Sequence, residues 1–99
     1  MLVVRNTFHL KFGKAKEAIA LMKESLAIQK RAGLDTPTRI LTDLTGRYYT
    51  LVLEITVKNL SELESTMPKL MGNPEWQANY QKVTPLVDSG HREIFTIVE

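Results

Sequence analysis

Residues 72–87 read GNPEWQANYQKVTPLV, and this stretch carries the sharpest boundary signals in the chain. Asn73 is a good helix cap, because its side-chain oxygen accepts from the first unpaired amides of a helix. Pro74 follows at the first helical position, where a missing N–H costs nothing and the fixed φ is already helical. Glu75 places negative charge beside the positive end of the helix dipole. Trp76, Tyr80 and Val83 then recur four and three residues apart, along one side of a helix. Pro85 ends it. The chain passes from there to residues 91–98, where period two returns. Ile94, Thr96 and Val98 share one face of this strand; His91, Glu93, Phe95 and Ile97 share the other.

Working backwards, Gly72 closes an earlier helix that opens near Asn59 or Ser61, each followed three residues later by a glutamate in capping-box spacing. Pro68 lies inside that helix and predicts a kink or break near Met67. Residues 48–57, YYTLVLEITV, form the strongest strand. Tyr49, Leu51, Leu53, Ile55 and Val57 make one face, and Tyr48, Thr50, Val52, Glu54 and Thr56 the other. Thr45-Gly46-Arg47 ties it to a weaker strand over residues 38–45, as an antiparallel hairpin. Residues 14–32 have helical period, with Ala15, Ala18, Ile19, Met22 and Leu26 as the stripe. Lys30 and Arg31 suit the negative end of this helix, and Gly33 suits the left-handed residue that closes it. Residues 2–12 alternate again. Leu2, Val4, Phe8, Leu10 and Phe12 fall on one face with Asn6 as the lone polar member; Val3, Arg5, Thr7, His9 and Lys11 fall on the other.

Strand, helix, strand, strand, helix pair, strand is the ferredoxin-like plan, a four-stranded antiparallel sheet with helices on one face. Residues 1–99 form one such α+β domain. The second face of the sheet is left open and mixes Val3, Leu41, Val52, Phe95 and Ile97 with charges. Large apolar patches rarely stay in water, so a second copy is expected to dock there and close a dimeric barrel. Arg5 and Arg39 with Glu54, Asp43 and Glu93 are the expected ion pairs inside it, because a buried unpaired charge is too costly.

Composition removes several function classes. Thirteen Lys and Arg against eleven Asp and Glu give a net charge of +2, without the clustered cations that nucleic-acid binding requires. No cysteine is present, which rules out disulfides, thiolate catalysis and zinc–cysteine sites and leaves the cytoplasm as the default compartment. No apolar run approaches bilayer length, and the N-terminus reads as a strand and not as a signal peptide. His9 and His91 are the only histidines, and both fall on the open face. Glu93 lies two residues from His91, but the set is too small for a metal site, and no metal or cofactor is expected. Phosphate loops, nucleotide fingerprints and Ser-His-Asp orderings are missing.

The opening strand with Leu10-Lys11 and Gly13-Lys14 resembles the start of NIPSNAP-like domains. Asn73-Pro74-Glu75-Trp76-Gln77, with Lys82-Val83 and Pro85-Leu86, is similar to that family's closing helix and exit. The resemblance implies the dimeric α+β barrel superfamily, a homodimer and no agreed enzymatic activity. Phe12 departs from the family's usual proline before the glycine, and Asn6 stands where the family often has an arginine.

Asn6 is the sharpest local anomaly, an amide among apolar residues on the helix-facing side of the first strand. It reads either as a structural amide bonded to neighbouring backbone or as a pocket residue. Asn6, Phe8, Met22, Tyr49, Trp76 and Tyr80 are the candidate lining of a small-molecule pocket between sheet and helices, suited to an apolar or aromatic ligand. Some cofactor-free monooxygenases and heme-degrading enzymes of the same barrel class use an Asn on strand one with a Trp and a His. Asn6 and Trp76 match two of those roles, but no histidine lies on the helix after the third strand. Three readings therefore stand: a ligand-binding NIPSNAP-like protein, a cofactor-independent monooxygenase or isomerase, and a non-enzymatic interaction module whose aromatics only pack.

Overall fold

The computed structural model describes residues 1–34 and 36–98. In chain order the elements are β1 (Leu2–Leu10), α1 (Ala15–Arg31), β2 (Thr38–Thr42), β3 (Thr50–Val57), α2 (Leu60–Met71), α3 (Pro74–Val83) and β4 (Val87–Thr96), with a short 3₁₀ turn at Thr84–Leu86 before β4. The strands form one sheet in the order β2-β3-β1-β4, and every neighbouring pair is antiparallel. This is the ferredoxin-like arrangement that the order of periods predicts.

The helix ends follow from their capping residues. Asn73 accepts from the amides of Glu75 and Trp76, and Asn59 accepts from the amide of Glu62, so each cap satisfies donors that the first turn leaves orphaned. At the end of α1, Leu34 N–H donates to Gln29 O and Gly33 N–H donates to Lys30 O, with Gly33 at φ 79°. That pair of bonds is a Schellman closure, and it needs a left-handed residue at Gly33.

Pro68 does not break the second helix, which runs unbroken in assignment from Leu60 to Met71. The carbonyl that Pro68 leaves without its usual donor belongs to Glu64, and both residues face solvent, where water can take the missing bond. The hairpin also differs from expectation. β2 ends at Thr42 and β3 begins at Thr50, so Tyr48 and Tyr49 belong to the turn and not to the strand. Asp43 closes this turn by accepting from the amide of Thr50 at 3.0 Å. Tyr49 has φ 58°, a left-handed conformation that costs an ordinary residue about 1–2 kcal/mol. β4 starts four residues earlier than its alternation suggests, at Val87.

The helices cover one face of the sheet. Leu10, Ala18, Met22, Leu51, Val83 and Leu86 form one buried cluster, and Val4, Val57 and Leu63 form another. Leu51 and Val4 lose all solvent contact. α3 is held on α1 by polar contacts as well as packing: Asn79 Nδ2 donates to Leu21 O at 2.9 Å, Trp76 Nε1 donates to Ser25 Oγ at 3.0 Å, and Arg31 meets Glu75 at 3.2 Å.

On β4, Gly90 lies opposite Phe8 of β1. A Cβ there would stand 2.9 Å from Thr7 O and 3.5 Å from the Phe8 ring. Because the closer atom is backbone, relief requires the strands to move apart. Gly90→Ala is therefore expected to lower stability by about 1–3 kcal/mol in urea unfolding, whereas an unchanged midpoint would show that the edge strand shifts freely.

Candidate functional site

The two faces of the sheet present different chemistry. On the open face, the register sets Arg39, Glu54, Arg5 and Glu93 in one row across all four strands. Glu54 is 8% exposed and is the hub of this row. Arg5 reaches its Oε2 through Nε at 3.3 Å and Nη2 at 3.2 Å, and Arg39 pairs with Oε1. The Arg39 hydrogen bond, helped by Arg5 and opposed by burial, holds the Glu54 carboxyl below its usual value. Arg5 also lies over the ring of Phe95, 5.2 Å from its centroid. Of the other acids expected to pair with these arginines, Asp43 is used in the hairpin turn and Glu93 lies 3.6 Å from His91 Nε2.

The next rows hold Leu41, Val52, Thr7 and His91, then Thr50, His9 and Ser89. The His9 and His91 rings stand 5.8 Å apart. His9 Nδ1 is buried with no hydrogen-bond partner. Burial first, then Arg47 and His91, hold the His9 imidazole below its ordinary 6.5. Among the described residues no group of three or more His, Asp or Glu side chains is placed to hold a metal ion.

On the helix side lies a cavity of about 520 Å³ between the sheet and the three helices. Its floor is Val4, Asn6, Phe8, Leu53 and Ile55; Met22, Leu63, Met67 and Leu70 close it from the helices. Members of both core clusters line it, so the core is divided around the cavity and not continuous. Trp76 and Tyr80 form one wall, stacked with ring centroids 5.0 Å apart and planes 9° from parallel. The Ser25 hydroxyl fixes the indole from α1.

Asn6 does not bond to neighbouring backbone through its side-chain oxygen. Its Oδ1 accepts from Arg92 Nε at 2.8 Å, across the β1–β4 register pair Asn6↔Arg92. Both side chains line the cavity, and Arg92 is the one charged residue among the described residues that does so. The sequence reading assigned Ile94, Thr96 and Val98 to one face of the last strand and left Arg92, within the same strand, without a face. Alternation with Ile94 and Thr96 puts it on the helix-facing side, which was the available signal.

Five of the six candidate pocket residues, Asn6, Phe8, Met22, Trp76 and Tyr80, therefore meet around one space. Tyr49 does not. The displaced start of β3 and its left-handed backbone carry it into a separate cavity of about 350 Å³ with Leu10, Phe12 and Tyr48, where its ring lies 4.6 Å from that of Phe12.

No protein-family model matches the sequence, and no curated protein does. Solved structures do. An uncharacterized NIPSNAP domain protein from Burkholderia xenovorans superimposes with a TM-score of 0.87 at 20% identity, covering 99% of this chain and 95% of that one. The chain has the NIPSNAP fold. A NIPSNAP family protein from Agrobacterium tumefaciens gives a TM-score of 0.87 at 19% identity, covering 99% and 93%. The fold extends to an antibiotic biosynthesis monooxygenase, with a TM-score of 0.76 at 12% identity over the full length of both chains. These likenesses establish architecture. Among the described residues no helix is long and apolar enough to cross a membrane.

The open face carries the pH dependence of the fold. A depressed imidazole pKa means that the unfolded chain binds the His9 proton more tightly than the folded one. The contribution is complete above pH 6.5 and is lost as pH falls below it toward the folded value. Glu54 has the same sign, and its contribution goes at lower pH, below the ordinary 4.5. Urea midpoints are expected to fall on acidification below pH 6.5, and His9→Gln is expected to flatten that first limb while leaving the Glu54 limb. A His9→Gln profile that matches the wild type would assign the loss to another group.

Proposed function

We propose that this protein is a homodimeric barrel that binds a small apolar or aromatic ligand between its sheet and its helices. The observation that carries this reading is the cavity of about 520 Å³, within the range of small-molecule sites, with a mostly apolar wall and the Asn6–Arg92 pair among its polar members. An interaction module with packed aromatics would leave no such space under its helices.

The dimer rests on the open face. Phe95 and Ile97 are 44% and 37% exposed and Leu41 is 38% exposed, around a Glu54 carboxylate already neutralised by two arginines. A second sheet laid on this face removes the apolar groups from water without stranding Glu54. Burying roughly 500 Å² of apolar surface per partner is worth about 12 kcal/mol from each partner before the costs of association.

Turnover of the ligand is a second reading, as a cofactor-independent monooxygenase or isomerase. The Asn6–Arg92 pair favours it, because hydrogen-bond donors in the wall of a cavity stabilise charge that develops on a reacting oxygen. Loss of turnover in Asn6→Ala with the dimer intact is the result that would support it.

Native mass spectrometry of the protein as purified tests the main reading. A dimer carrying a small molecule is expected. Phe95→Asp should shift the mass to the monomer. Leu53→Trp, which fills the floor of the cavity, should release the small molecule from an intact dimer. A wild-type monomer at micromolar concentration would refute the barrel. Retention of the molecule by Leu53→Trp would place it elsewhere.

A further inference from the structure

The wall of the cavity narrows the chemistry of its occupant, given the ligand-binding reading above. Among the described residues no carboxylate lines this space, and Arg92 is its one charged group. Arg92 donates through Nε to Asn6 Oδ1 at 2.8 Å and, among the described residues, makes no salt bridge. The contrast with the opposite face is direct. There the guanidinium groups of Arg5 and Arg39 both end on Glu54. On the cavity side the guanidinium is oriented by a neutral amide, which uses one donor and leaves the charge uncompensated.

We propose that the cavity takes an amphipathic organic anion, with its carboxylate on the terminal amines of Arg92 and its apolar body between the sheet floor and the Trp76–Tyr80 wall. A planar guanidinium fixed at Nε presents its remaining donors as a fork that matches a carboxylate, and such charge-assisted pairs are about twice as strong as neutral ones. Asn6 is a positioning residue, since it fixes the plane of the fork. The opposite wall suits a body of variable shape. Met22, Met67 and Met71 are unbranched and adjust to irregular apolar outlines. Gln29 and Thr36 lie in the same wall and are neutral, so they oppose no anion. Arg92 sits on the exposed edge strand, so the anionic end lies at the mouth and the apolar end inside.

Isothermal titration with a matched pair of probes, a naphthalene carboxylate and the corresponding naphthalene carboxamide, tests this at neutral pH. The two share a body and differ in charge. The carboxylate is expected to bind roughly tenfold or more tightly than the amide, as loss of a hydrogen bond to a charged group implies. Arg92→Gln should close that gap by weakening the carboxylate, while residual carboxamide binding reports that the variant is folded. Asn6→Asp places a carboxylate beside the guanidinium and should close it as well. Equal binding of both probes to the wild type would overturn the anionic head and leave the ligand cavity standing. A gap that persists in Arg92→Gln would overturn Arg92 as the anchor. Binding of neither probe would overturn this proposal together with the cavity reading it rests on.

Discussion

A four-stranded sheet has two faces, and this chain has helices for only one of them. The rest of the architecture depends on that inequality. Alternation along β1 sends Val4, Asn6, Phe8 and Leu10 toward the helices and Val3, Arg5, Thr7 and His9 away from them. Because β1 is central, both neighbouring strands inherit its phase through the register. A one-residue slip would exchange the faces entirely, putting Arg5 under α1 and Val4 in solvent. The charged row on the open face makes such a slip costlier still. Glu54 meets both Arg5 and Arg39 only in this register, and a slip would leave a carboxylate among apolar side chains.

The helix side is shaped by how α3 is attached. Three polar contacts tie it to α1: Asn79 to the Leu21 carbonyl, Trp76 to Ser25, and Arg31 to Glu75. Hydrogen bonds are directional where apolar packing is not. A helix held by apolar contact alone would settle onto the sheet until no space remained, since protein interiors favour close packing. Directional tethers to a neighbouring helix hold α3 at a set height instead. The space left beneath it is bounded by Val4 and Leu53 below and by Met67 and Leu70 from α2. Thus the residues that fix α3 also create the cavity.

Much of this was legible in the sequence because it rests on local rules. The caps at Asn59 and Asn73, the closure at Gly33 and the two-faced strands depend on residues within a turn or two of one another. What sequence reading missed depends on partners far along the chain or on backbone choices without a side-chain signature. Pro68 looked like a breaker, but a proline whose released carbonyl faces water is tolerated. Tyr49 looked like a strand residue because aromatics favour strands, yet the hairpin places it at positive φ with its ring against Phe12. Asn79 reads as a surface position on a short polar helix, and its role appears only with the carbonyl of Leu21, 58 residues away. Asn6 was legible as an anomaly, but its partner Arg92 lies 86 residues on, and nothing local to either residue pairs them.

The arginines show how the two faces divide electrostatic work. Arg5, Arg39 and Arg92 occupy the same sheet and differ in what meets them. Two of them converge on one glutamate, and with Glu93 in register beside Arg5 the row of two arginines and two glutamates balances in sum. Such a row tolerates the approach of an identical row only if opposite charges face one another, since like charges repel strongly in a low-dielectric interface. A two-fold operation that ran the rows antiparallel would set Arg39 of one copy near Glu93 of the other and meet that requirement from within the chain's own composition. Arg92, on the opposite face, cannot be balanced by any such symmetry, because the helices exclude a second sheet there. Among the described residues no acid reaches it, which leaves solvent or a ligand that enters from the edge of β4 to compensate it. The same constraint that leaves one face free for a second copy therefore leaves the other with a cation that no described residue neutralises.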